Sequence, residues 1–184
     1  MSRDQLLKEI EVLDSSLTDL VLEHWNRFGH LGTWQFWFTF GFLLVPLIIT
    51  VIFIDRKRIF QIAFYGYSFH IMVVYLDVFF TRNNFWSHPY HLIPYVPVSI
   101  PIDGAFVPVA FMFAYQYAVK QNKNFYLIAI FTATVVSLIA FIWIKLELLE
   151  LYRGMNIFHI FLLDVGMAIL AYWFTLLFLK LKKT

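Results

Sequence analysis

Three aspartates and four histidines occupy positions where ionisable side chains are costly or conspicuous: Asp77, Asp103 and Asp164, with His70, His88, His91 and His159. Their chemistry would be that of proton transfer. A carboxyl group removed from water holds its proton more tightly and can deliver it to an apolar substrate. On that argument Asp77, Asp103, Asp164 and His159 are the candidate catalytic groups. His88-Pro-Tyr-His91 suggests a metal instead, because imidazole and carboxylate ligands suit zinc and similar ions. The pair lies in a proline-broken stretch, however, without the i,i+4 spacing of a helical ligand pair, and the sequence specifies no third ligand. The expectation is therefore no metal and no cofactor, with His88 and His91 as the metal candidates. The chain has no cysteine, which removes disulfides, thiolate sites and thiol nucleophiles.

Each of these residues also has a plainer reading. Asp77 paired with Arg82 or His70 could merely fix the rotation of a helix. Glu147, Glu150 and Arg153 at spacings of three read as a solvated helix end. Trp86, Tyr90 and Tyr95 among prolines suit a cap at the headgroup level, where aromatic rings are favoured. No HExxH, GxSxG or P-loop motif is present, and no span carries GxxxG. If a ligand binds, the expected contacts are His70, Asp77, Arg82, Trp86, His88, His91, Asp103, His159 and Asp164.

The elements that must position these groups follow from hydropathy. Of 184 residues 61% are hydrophobic and 21% aromatic, against about 45–50% apolar for a soluble domain. The excess is concentrated in five runs: Trp34–Ile54, Ile59–Phe80, about 102–119, Phe125–Leu146 and about 156–179. Each is long enough to cross ~30 Å of hydrocarbon as helix. The expected fold is an all-α integral membrane protein, a five-transmembrane-helix bundle (31–184) behind an amphipathic N-terminal helix (1–30). Between the second and third runs lies the segment 82–101, which cannot form an unbroken helix. Pro89, Pro94, Pro97 and Pro101 each lack a backbone donor and push the preceding residue towards extended geometry.

In the N-terminal helix Leu6, Ile10, Leu13, Leu17 and Leu20 form one apolar stripe. Its six acids and two bases disfavour an anionic bilayer surface, which basic helices prefer. The reading is packing on the bundle, on a membrane protein partner or on a second copy as a homo-oligomer; an interfacial helix is the plainer alternative. Apart from these and the lipid bilayer no partner is implied, and the net charge of +2 is too small to suggest nucleic acid. Lysine and arginine gather beside the second, fourth and last span ends (Arg56, Lys57, Arg58, Lys120, Lys123, Lys180, Lys182, Lys183). By the positive-inside rule this predicts a cell-membrane protein with its amino terminus outside and its carboxyl terminus cytoplasmic. The proline segment could also hide a sixth crossing, which would invert everything upstream, or a re-entrant loop, which would not.

The run Pro94-Tyr-Val-Pro97, Pro101-Ile-Asp103, Pro108 and Tyr115-Gln116 resembles a family of small multi-spanning membrane proteins of spore-forming Firmicutes. The likeness covers about the last two-thirds of the chain and does not include the acidic N-terminal helix. It implies a bundle of four to six helices and carries no catalytic residue with it.

Two functional readings follow, and a third ranks below them. The first is a non-enzymatic membrane protein whose outward polar pocket, capped by the proline segment, binds a partner protein or a small or lipid ligand. The second is a membrane-embedded enzyme using the same aspartates and histidines for acid–base chemistry on a lipid-like substrate. Ion passage along His70, Asp77 and Asp164 comes last, because the opposite halves of the spans offer almost no polar residues to continue a path.

Overall fold

The computed structural model describes residues 1–96 and 98–182, so Pro97 of the proline segment and Lys183 of the basic tail lie outside the described residues. Six α-helices follow in order: α1 (Arg3–His24), α2 (Trp34–Phe53), α3 (Ile59–Arg82), α4 (Val107–Lys120), α5 (Phe125–Lys145) and α6 (Ile157–Leu181). Among the described residues, five helical stretches are long and apolar enough to cross a bilayer: Trp34–Phe53, Arg56–Arg82, Ile100–Lys120, Phe125–Lys145 and Ile157–Leu181. This is an all-α, multi-pass membrane bundle, as the hydropathy predicts. The spans coincide with the expected runs to within a few residues.

The boundaries have local causes. Ser2 accepts from Gln5 N and Gln5 Oε1 accepts from Ser2 N, a reciprocal cap that starts α1. Thr33, Asn124 and Asn156 cap α2, α5 and α6 in the same sense, each accepting from a first-turn N–H. At the far ends of α3, α4 and α5 a residue in the left-handed region turns the chain: Asn84 (φ 55°), Asn122 (φ 50°) and Glu147 (φ 58°). The next N–H then reaches back to the carbonyl five residues earlier, Phe85 to Phe80, Lys123 to Ala118 and Leu148 to Trp143, each at 2.9 Å. That geometry satisfies the last free carbonyls of a helix and stops it abruptly.

Helix α3 is the central element, packed on both α4 and α6, while α5 fills the space between α4 and α6. Rings dominate the α3–α4 seam, with Tyr65 stacked on Tyr115 at 4.4 Å and Phe69 on Phe111 at 4.5 Å. Gly66 permits this approach, since a Cβ there would lie 2.9 Å from Met112 Sδ. Between α5 and α6 fully buried alanines (Ala129, Ala133, Ala168, Ala171) let the backbones come close, the usual solution where lipid offers no hydrophobic drive. At the end bearing the basic turns, Gln116 clamps the α2–α3 connection. Its amide accepts from Asp55 N at 2.7 Å and donates to Phe53 O at 3.1 Å, while Tyr115 accepts from Gln61.

Two features differ from the sequence expectation. The link after α5 is not simply a solvated helix end. Glu150–Leu151 forms a short strand (β2) that pairs antiparallel with Trp86–Ser87 (β1), which ties the proline segment to the α5–α6 connection. Leu148 and Leu149 turn inward to join Trp86 and Trp143 in a second apolar cluster. Secondly, no residue of α1 is buried, so its apolar stripe is not covered by the bundle. The helix meets the rest of the chain through Asp14, 3.7 Å from Arg82 Nη2, and through the His24 ring, 6.0 Å from that of Tyr90.

Candidate functional site: an acid–imidazole cluster beneath the proline segment

The described residues 83–96 and 98–99 form a lid at the end of the bundle where α3 stops and α4 begins, and Asp77 fastens it. One turn before the end of α3, its carboxylate points inward and is 2% exposed. Oδ1 accepts from Trp86 Nε1 at 2.7 Å and bonds His88 Nε2 at 2.8 Å; Thr81 Oγ1 makes a longer contact at 3.4 Å. Oδ2 receives Ser99 N at 3.4 Å. One side chain thus holds both limbs of the lid. Hydrogen bonds to a carboxylate contribute about 1.5–3 kcal/mol each, more than neutral pairs. Trp86 adds packing, with its ring stacked on Phe80 at 4.5 Å.

Asp103 reaches the same place from the opposite side. The segment Ile100–Phe106 leads into α4 as a π-helical turn, with Pro101 near its start and Pro108 at the start of α4. Wide turns of this kind are rare and recur at functional sites. Asp103 lies in the middle of it, and its backbone carbonyl contacts His70 Nδ1 at 3.0 Å. Asp77, His88 and Asp103 each offer one ligand atom, and the three atoms lie within 4.8 Å of one another.

Asp164 arrives from α6. Asp77, His88, Asp103 and Asp164 all line one cavity of about 80 Å³, walled otherwise by apolar and aromatic side chains that include Trp86, Phe106, Trp143 and Leu149. No lysine or arginine lines it among the described residues. Asp103 and Asp164 are each 8% exposed, and Oδ2 of both is buried without a hydrogen-bond partner among the described residues. His88 Nδ1 is in the same condition. Buried polar atoms are paired in the great majority of cases, so three such atoms in one cluster mark a place built for something else.

Of the candidates named from sequence, the fold brings together Asp77, Trp86, His88, Asp103 and Asp164. His70 touches the backbone of the cluster without lining the cavity. Arg82 does not pair with Asp77: it lies on the surface beside Asp14, and the aspartate is served by Trp86 and His88 instead. His159 is exposed and works in the cap of α6, where its Nδ1 accepts from Asn156 N. His91 is outside the set of converging ligands, with a buried and unpartnered Nδ1. Trp143, Ser99 and Leu149 were missed. Trp143 carries no sequence mark that separates it from the other aromatics of an aromatic-rich chain.

The fold and site define a five-span α-helical membrane protein with a buried cluster of three aspartates and one imidazole beneath a tethered lid. No protein-family model, curated protein or solved structure matches the chain.

The lid carries a pH dependence of calculable sign. Burial first, then the neighbouring His88 and His24, lowers the pKa of His91 from 6.5 to about 4, against an opposing pull from Asp77. Between those values the unfolded chain binds a proton that the folded chain refuses, so this group makes stability fall as pH drops from about 6.5 towards 4. The full effect is about 3 kcal/mol at ~1.4 kcal/mol per unit. Thermal unfolding in detergent should show a lower Tm at pH 5 than at pH 7.5, with a smaller drop in His91→Gln. An equal drop in both proteins would remove His91 as the cause.

Proposed function

We propose that the chain is a non-enzymatic membrane protein that receives a small hydrogen-bond-donating or cationic ligand in the cavity beneath its lid. The observation that carries this is that Asp103 and Asp164, each with a buried and unpartnered Oδ2, both line a cavity that has no lysine or arginine among the described residues. Size narrows the ligand. Pockets for drug-sized molecules run to about 300–1,000 Å³, whereas about 80 Å³ is available here. That volume favours an ion or a molecule of a few heavy atoms over a lipid.

One observation favours acid–base catalysis as the second reading. A carboxylate 2.8 Å from one imidazole nitrogen, with the other nitrogen unpartnered, is the arrangement by which acids orient catalytic histidines. Native mass spectrometry of the full chain in mild detergent separates these readings. The binding reading expects a small adduct of constant mass, lost in Asp103→Asn and Asp164→Asn. An adduct whose mass changes with time in the parent protein but not in His88→Asn supports catalysis. Bare protein, or a phospholipid adduct indifferent to both substitutions, contradicts the binding reading.

The Lys/Arg distribution supports a cell-membrane orientation with the lid outside and the α2–α3 and α4–α5 turns cytoplasmic. The absence of cysteine makes this directly testable. Tyr95→Cys in the lid should react with an impermeant maleimide on intact cells, and Lys123→Cys only after permeabilisation. The reverse pattern contradicts the orientation.

A further inference from the structure

We infer that the ligand of this cavity is a divalent transition-metal ion of the zinc type, held by Asp77, His88 and Asp103 with Asp164 alongside. The inference rests on the small-ligand reading and names its chemistry. The three ligand atoms come from separate parts of the fold: the end of α3, the lid, and the π-helical turn before α4. They nevertheless lie within 4.8 Å of one another and are all buried. Zinc bonds nitrogen and oxygen at about 2.0–2.2 Å, so ligand atoms around one ion lie roughly 3–4 Å apart. A modest contraction of this triangle therefore encloses an ion.

Asp164 is the independent observation. It comes from α6, is not one of the three converging residues, lines the same cavity and carries a buried Oδ2 without a partner among the described residues. A cation would satisfy buried acids at this density, since buried charges pair or coordinate metals. No described lysine or arginine lines the cavity to supply one. The donor set narrows the choice further. One imidazole and carboxylates without thiolate suit zinc, manganese or cobalt, and three protein ligands leave a position open towards the cavity for water. Trp86 Nε1 and Ser99 N already hold Asp77 as outer partners, the support that orients metal ligands.

The test uses the full chain in detergent or nanodiscs, stripped with a chelator and dialysed against Zn²⁺ or Co²⁺. The inference expects about one ion per chain and a Co²⁺ visible spectrum characteristic of low coordination number. Affinity should fall at least tenfold in His88→Ala and Asp103→Asn. A smaller loss is expected in Asp164→Asn, and no change in His159→Ala, whose imidazole caps a helix elsewhere. Circular dichroism and gel filtration of each variant exclude misfolding as the cause of a loss. Absence of bound metal at saturating Zn²⁺ overturns the inference, as does stoichiometric binding unaffected by His88→Ala and Asp103→Asn. If metal is absent while an organic adduct sensitive to Asp103→Asn persists, the metal assignment fails and the small-ligand reading stands. If both metal and adduct are absent, both fail.

Discussion

The hydrogen bonds gathered on the Asp77 carboxylate govern the architecture of this end of the bundle. A charged group on a spanning helix costs about 2.5–3.5 kcal/mol even by insertion scales. Here that cost is offset because the carboxylate supplies acceptors to a loop that prolines prevent from satisfying itself. Trp86, His88 and Ser99 converge on it from two limbs of the lid. The lid in turn screens the aspartate from water. These bonds join the helix end and the lid into a single unit.

Other features extend that unit. The β1–β2 ladder ties the lid to the α5–α6 link, and the left-handed turn at Glu147 directs Leu148 and Leu149 inward beneath it. Trp143 and Trp86 fill the space between, with Trp143 against Phe42 at 4.4 Å. The opposite end of the bundle is built differently: ring stacking, close-packed alanines and the Gln116 clamp close it without buried acids among the described residues. The protein thus has one end closed by packing and one end that gathers three buried acids and an imidazole around a cavity.

Much of this was legible in the sequence, for identifiable reasons. The five spans follow from apolar run length, and the place of the site follows from the cost of Asp77, Asp103 and Asp164 in such runs. Partners were harder to read. Arg82 is five residues from Asp77 and opposite in charge, yet the chain leaves α3 at Asn83 and carries the guanidinium to the surface. Trp86 is farther along the chain, but the turn at Asn84 swings it back over the helix end. The His88–His91 spacing likewise suggested a pair, whereas the irregular backbone sends only His88 to the acids. Pairing across a loop without periodicity is set by turn geometry, which sequence pattern does not encode. The short strands were missed because two residues give too little alternation to distinguish from a helix end.

The most direct measurement of the central claim is hydrogen–deuterium exchange of the lid with the Asp77 carboxylate removed. In Asp77→Ala, amides of 83–99 should exchange at least tenfold faster than in the parent protein, while α4 and the α2–α3 turn keep their protection. Unchanged lid protection in a folded Asp77→Ala protein would show that the lid is held by something else, and the account of this site would be wrong.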